Sequence, residues 1–201
     1  MFESIAIFGG SFDPVHAGHV AVVKAVLANL KVEKLFVVPT FLNPFKHEFC
    51  APPEFRLRWC RAVFCEEFAN LCEVCDFEVK SGRAVASIET VLFLREKFKP
   101  KQIYLVVGSD NLHSLNSWHR FNELSSLVEF VVVTREENSQ NSNLTHKNKT
   151  TPNTPRYTTI FLDAPISSTQ IRNGLLSEQI PKPIKDEVIA FYKNVQNTNV
   201  F

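Results

Sequence analysis

The chain has 201 residues, enough to bury one α/β core, and its 45% hydrophobic and 21% charged residues exclude the composition of a disordered polypeptide. A net charge of +1 gives no support to a broad nucleic-acid-binding or anionic-membrane surface, so any phosphate recognition must be local. No apolar run approaches the ~18 residues that span a bilayer and no basic-then-apolar leader opens the sequence. A cytoplasmic protein with no nucleic-acid or membrane partner is therefore expected, with a homo-oligomer left open.

In chain order, residues 5–8 form a compact apolar run that ends in two glycines, which predicts a buried strand. Val20, Val23, Leu27 and Leu30 then recur at helical spacing, so a helix is expected from about Ala17. Residues 34–38 read as a second strand, and Leu57, Cys60, Phe64 and Phe68 as the buried stripe of a second helix. The Cys72-Glu73-Val74-Cys75 stretch has no second cysteine pair at zinc spacing, so a strand with small buried thiols is expected rather than a metal or redox pair. Residues 103–107, 129–134 and 157–162 read as further strands.

Fully apolar strands alternating with amphipathic helices predict an α/β fold: a Rossmann-like, doubly wound parallel sheet of five to six strands with helices on both faces. Such sheets bind ligands at the carboxyl ends of their strands, where the strand order reverses. Residues 136–156 are polar, hold two prolines and show no apolar periodicity, so they are expected to be a mobile loop insertion within a single domain spanning 1–201.

The chemistry concentrates after the first strand. Gly9 and Gly10 permit backbone angles and a close approach that a side chain would prevent, and the following helix start offers unpaired N–H groups and a positive dipole end. His16 and His19, three apart in the first helical turn with the open Gly18 between them, can donate to phosphate oxygens and to the charge that develops when a phosphoanhydride breaks. No third ligand at suitable spacing accompanies them, so no protein metal site is expected.

Gly9-Gly10-Ser11-Phe12-Asp13-Pro14-Val15-His16-Ala17-Gly18-His19 resembles the G-[GT]-[ST]-F-D-P-x-H-x-G-H signature of the nucleotidyltransferase superfamily that includes the nicotinate-nucleotide and phosphopantetheine adenylyltransferases. Residues 166–172, Ile-Ser-Ser-Thr-Gln-Ile-Arg, look like the I-S-S-T-x-I-R motif of the nicotinate-nucleotide enzymes, and residues 108–118 are similar to their G-x-D-x-L-x-x-L-x-x-W segment. The resemblance runs from Ile5 to about Tyr192. It implies ATP contacts from Gly9, Gly10, Ser11, Phe12, Gly18, Gly108, Ser167, Ser168 and Thr169. Catalytic donors would be His16, His19, Lys46 and Arg172. On the mononucleotide side it implies Thr40, Ser87, Thr90, Asp110, Trp118 and Arg135, with Asp110 on ribose hydroxyls and Trp118 stacked on the pyridine ring.

Three departures stand out. Phe45 replaces a family histidine beside Lys46, with His47 as a candidate substitute. The family's S-Y-T-x-D-T segment becomes Ser87-Ile88-Glu89-Thr90 preceded by Val85-Ala86. A short family loop is expanded into residues 136–156, after Arg135. The resemblance implies adenylyl transfer from ATP, accompanied by Mg²⁺, to nicotinate mononucleotide, with deamido-NAD and pyrophosphate as products. Phosphopantetheine, nicotinamide mononucleotide as the preferred acceptor, and a non-catalytic nucleotide sensor are the competing readings.

Overall fold

The computed structural model describes residues 2–42, 48–134, 146–147, 157–162, 168–173 and 177–198. Its centre is a seven-stranded sheet built from β1 (Ser4–Gly10), β2 (Lys34–Pro39), β3 (Cys72–Val74), β4 (Gln102–Gly108), β5 (Glu129–Thr134), β6 (His146–Lys147) and β7 (Tyr157–Phe161). The order is β3-β2-β1-β4-β5-β7-β6, with every pairing parallel except that between β6 and β7. Six parallel strands match the sequence expectation. The seventh pairs His146 and Lys147 with Thr159 and Thr158, inside the segment read as loop. A two-residue polar strand has no periodicity to betray it, because its backbone pairing does not depend on apolar side chains.

Alternation along each strand sends side chains to two cores. Ala6, Phe8, Leu35, Val37, Val106, Val131 and Val133 face α1 (Ala17–Asn29), α2 (Pro53–Cys60) and the C-terminal helix, whose Val188 and Tyr192 join the same cluster. Ile5, Ile7, Phe36, Val38, Leu105, Val107, Phe130 and Val132 face a second layer. There Ile88, Val91 and Leu94 come from a helix at Ser87–Phe98 and Leu124 from one at Phe121–Leu127. Counting α3 (Phe77–Ser81) before these, they are α4 and α5; α6 is Ser168–Arg172 and α7 is Lys185–Thr198. Burying both faces explains why β1, β2, β4 and β5 read as apolar runs.

The second predicted helix is α2 continued through a π-turn at Arg61–Cys65, which keeps Trp59, Cys60, Val63 and Phe64 inward. Cys72 and Cys75 are buried at and just after β3, as small core residues. Burial pushes the Cys72 thiol up to about 12 and also raises those of Cys60 and Cys75, so these three are poor nucleophiles. No helix among the described residues is long and apolar enough to cross a membrane.

Candidate active site

The strand order reverses between β1 and β4, because the chain moves from β1 outward to β2 and β3 and then returns to the other side of β1. Two clefts open at this switch, as expected for such a sheet. One, of about 440 Å³, is lined by Phe8, His16, Gly18, His19, Ser109 and Leu162 among others. The other, of about 480 Å³, is lined by Gly9, Gly10, Thr40, Glu78, Ser87 and Trp118 among others. Both share the wall formed by Val106, Val107, Gly108 and Asp110. One ligand lying across Gly108 can therefore occupy both.

The glycine pair belongs to a strand rather than to a turn: Gly9 and Gly10 are the last two residues of β1, in register with Val38 and Pro39. The left-handed residue is Phe12, at φ 49°. Its ring, 1% exposed, meets Phe8 edge-on at 5.4 Å and packs 4.8 Å from the imidazole of His19. That aromatic anchorage offsets a backbone strain of about 1 kcal/mol. A Cβ on Gly10 would sit 3.2 Å from the Phe12 ring and press on it, whereas one on Gly9 would meet nothing nearer than the Val38 carbonyl at 4.0 Å.

His16 is the extended N-cap of α1 and His19 its third residue, so the imidazoles stack with centroids 3.8 Å apart. The backbone N–H of His16 donates to Nδ1 of His19 at 3.2 Å. This places the proton of a neutral His19 ring on Nε2 and makes that atom a hydrogen-bond donor. With Gly18 and the first N–H groups of α1, the arrangement suits an anion.

The turn between them is fixed by groups that the sequence did not reveal. Asp13, 5% exposed, accepts from the backbone N–H groups of Cys50 and Ala51, each at 3.0 Å, and from the Tyr192 hydroxyl. Burial and the neighbouring Asp13 raise the Tyr192 pKa, so Tyr192 remains the donor. The Arg56 guanidinium, 1% exposed, donates to the carbonyls of Ala51, Ser11, Thr40 and Phe41 at 2.6–2.9 Å. Burial lowers the Arg56 pKa and nearby Asp13 opposes this. Together they tie the ends of β1 and β2 to the start of α2 and to α7.

From α6, Arg172 donates to the Asp13 carbonyl at 2.6 Å and to Thr169 Oγ1 at 3.1 Å, while Ser168 Oγ meets the Pro14 carbonyl at 3.3 Å. The fold thus brings α6 onto the Asp13-Pro14 turn, although none of these three side chains lines either cleft. Ser11 and Phe12 do not line them either. Thr90 is buried and gives its hydroxyl to Glu78 at 2.6 Å, so it reaches the second cleft through Glu78. Lys46, His47, Arg135 and Ser167 lie outside the described residues, as does most of 136–156.

A Cβ at Gly108 would stand 2.3 Å from Oδ1 of Asp110, whose carboxylate folds back over this glycine and accepts from Asn111 at 3.2 Å. Gly108→Ala is expected to leave the thermal midpoint within a few degrees, because an exposed carboxylate can swing away, yet to raise the acceptor KM about tenfold. Thermal melts beside acceptor titrations check this. An unchanged KM would mean that the Asp110 position does not matter.

The fold and this double cleft, with His16, His19 and the start of α1 on one side and Trp118 on the other, are those of a nucleotidyltransferase-type α/β protein. A family model described as cytidylyltransferase-like matches residues 7–174. Among curated proteins, one from a Nitratiruptor species is 44% identical over 190 residues, covering 94% of this chain and 99% of that protein. One from Campylobacter fetus is likewise 44% identical over 190 residues, covering 94% of this chain and 97% of that protein. Each carries the name probable nicotinate-nucleotide adenylyltransferase. The chain belongs to the nicotinate-nucleotide adenylyltransferase family. Its fold also matches the Plasmodium falciparum nicotinic acid mononucleotide adenylyltransferase complexed with NaAD, at TM-score 0.71 and 19% identity over 99% of this chain and 100% of that one.

Proposed function

We propose that the protein transfers the adenylyl group of ATP to nicotinate mononucleotide, giving deamido-NAD and pyrophosphate. The observation that carries this reading is the pair of clefts meeting at Gly108 and Asp110, one ending on His16 and His19 and the other on Trp118 and the start of α4. The names of the relatives support the same acceptor. A phosphate oxygen of the mononucleotide attacks the α-phosphorus of ATP. The bond to the bridging α–β oxygen breaks, and pyrophosphate leaves with the electron pair. No enzyme nucleophile is required, so the protein's work is positioning and charge stabilisation.

In this reading the N–H groups of α1, with His16 and His19, hold the triphosphate, and Lys46, Ser167, Ser168, Thr169 and Arg172 complete the donor set. Asp110 holds ribose hydroxyls, and Trp118 gives its face to the electron-poor ring. Mg²⁺ enters with ATP, as part of the substrate. Asp13 does not fit as its ligand, since both carboxylate oxygens are committed to Cys50, Ala51 and Tyr192. The test is pyrophosphate release from ATP with nicotinate mononucleotide, nicotinamide mononucleotide and phosphopantetheine in separate reactions. Turnover with the first is expected; turnover with phosphopantetheine alone, or with none of the three, overturns the reading.

A further inference from the structure

Glu78 is a carboxyl group in an unusual place. It sits on α3, is only 5% exposed, and lines the 480 Å³ cleft together with Val85, Ala86, Ser87 and Trp118. Its Oε1 takes the Thr90 hydroxyl at 2.6 Å, whereas its Oε2 is buried with no hydrogen-bond partner among the described residues. A buried carboxyl oxygen without a partner costs free energy unless a ligand supplies one. The two pyridine mononucleotides share the ring's positive charge and the ribose phosphate. They differ only in an anionic carboxylate against a neutral amide, so a carboxyl in this cleft is placed to tell them apart.

We propose that Glu78 is a specificity-determining residue of the acceptor site, its protonated Oε2 donating a hydrogen bond to the carboxylate of nicotinate mononucleotide and, once ionised, repelling that substrate. The inference rests on the reaction proposed above. Its chemistry is directional: a carboxylic acid donates to a carboxylate, whereas two carboxylates side by side cannot both keep their charge. An ionised Glu78 would instead accept from the amide of nicotinamide mononucleotide.

The surroundings bring the titration of this carboxyl into the neutral range, with the acid form dominant below it. Burial, opposed by the Thr90 hydroxyl and aided by the Glu89 carboxylate on α4, pushes the Glu78 carboxyl up to about 7. Glu89 is itself paired with Arg83 at 2.6 Å. The other charged or titratable groups near this wall are Asp110 and His119 in the cleft lining, with Asp76, the N-cap of α3, paired with Arg61 at 2.8 Å and Lys80 at 3.1 Å. Among the described lining residues no Lys or Arg offsets Glu78.

The experiment measures KM for nicotinate mononucleotide from pH 6 to 8.5 at saturating ATP, in the full-length protein and in Glu78→Gln. The Gln amide can still accept from Thr90 but has no proton to lose. In the unaltered protein KM is expected to rise by about tenfold per pH unit above the break, with kcat following its own profile. In Glu78→Gln the alkaline rise disappears; because the substrate's own ionisation is common to both, the ratio of the two KM values isolates Glu78. If Glu78→Gln does not fold, Thr90→Val keeps the carboxyl and removes the hydroxyl that favours its ionised form. The break is then expected to move to higher pH. An identical profile in Glu78→Gln, or an unmoved break in Thr90→Val, overturns the inference while leaving the reaction intact. No turnover of nicotinate mononucleotide at any pH overturns the parent reading instead.

Discussion

Replacing His19 with alanine is expected to lower kcat by about 10²-fold or more, with a much smaller change in the KM for ATP. The scale is that of removing one transition-state donor in a preorganised site. Because the His16 backbone N–H occupies Nδ1, the remaining nitrogen is the proton-bearing atom, and the donor is oriented before substrate arrives. His19 also packs against His16 and Phe12, so a melt must accompany the kinetics. His19→Asn is the control: it refills part of the space but cannot place a donor as far along the same line. If His19→Ala melts normally and keeps its kcat, His19 is a packing residue of the turn and not a catalytic one.

The stacking of His16 and His19 was legible in the sequence because their spacing is local: His16, Gly18 and His19 fall within one helical turn. The strands β1, β2, β4 and β5 were legible because double-sided burial writes apolar runs, β7 through its β-branched and aromatic residues, and β3 through cysteines that read as core thiols. Three features were not legible, each for a physical reason. The glycine pair reads from sequence as the place for unusual backbone angles, whereas the left-handed position is Phe12, where aromatic packing outweighs the usual preference for glycine. Thr90 reads as an acceptor-side residue because it lies in a recognisable segment. Only the fold shows its hydroxyl turned toward Glu78, twelve residues earlier in the chain. Strand β6 has two polar residues and no pattern at all.

Arg56 is the most instructive of the missed residues, because a signal did exist. In the run Pro-Glu-Phe-Arg-Leu-Arg-Trp-Cys, Arg56 shares helical spacing with Trp59, Cys60 and Val63, all of them buried. Arg58 falls off that stripe, is exposed, and pairs with Glu187 on α7. An arginine on the apolar stripe of a helix must have a full set of acceptors, because a buried guanidinium without them is not tolerated. Here the acceptors are four backbone carbonyls from three loop segments, none of which a local reading could assemble.

Arg56→Met, which keeps the length and apolar character of the stem, is accordingly expected to destabilise the protein by about 3 kcal/mol, since it leaves several buried carbonyls without a donor. The expected result in urea is a lower midpoint with an unchanged slope. Activity should fall further than stability alone explains, because Ser11 lies in the turn between β1 and α1 that leads to His16 and His19, and Thr40 lines the 480 Å³ cleft. Arg56→Lys should rescue little: one ammonium cannot reach in four directions from a fixed plane as a guanidinium does. A midpoint unchanged in Arg56→Met would show that the three segments hold one another without it, and the fold would then owe the geometry of its switch point to Asp13 and its three donors.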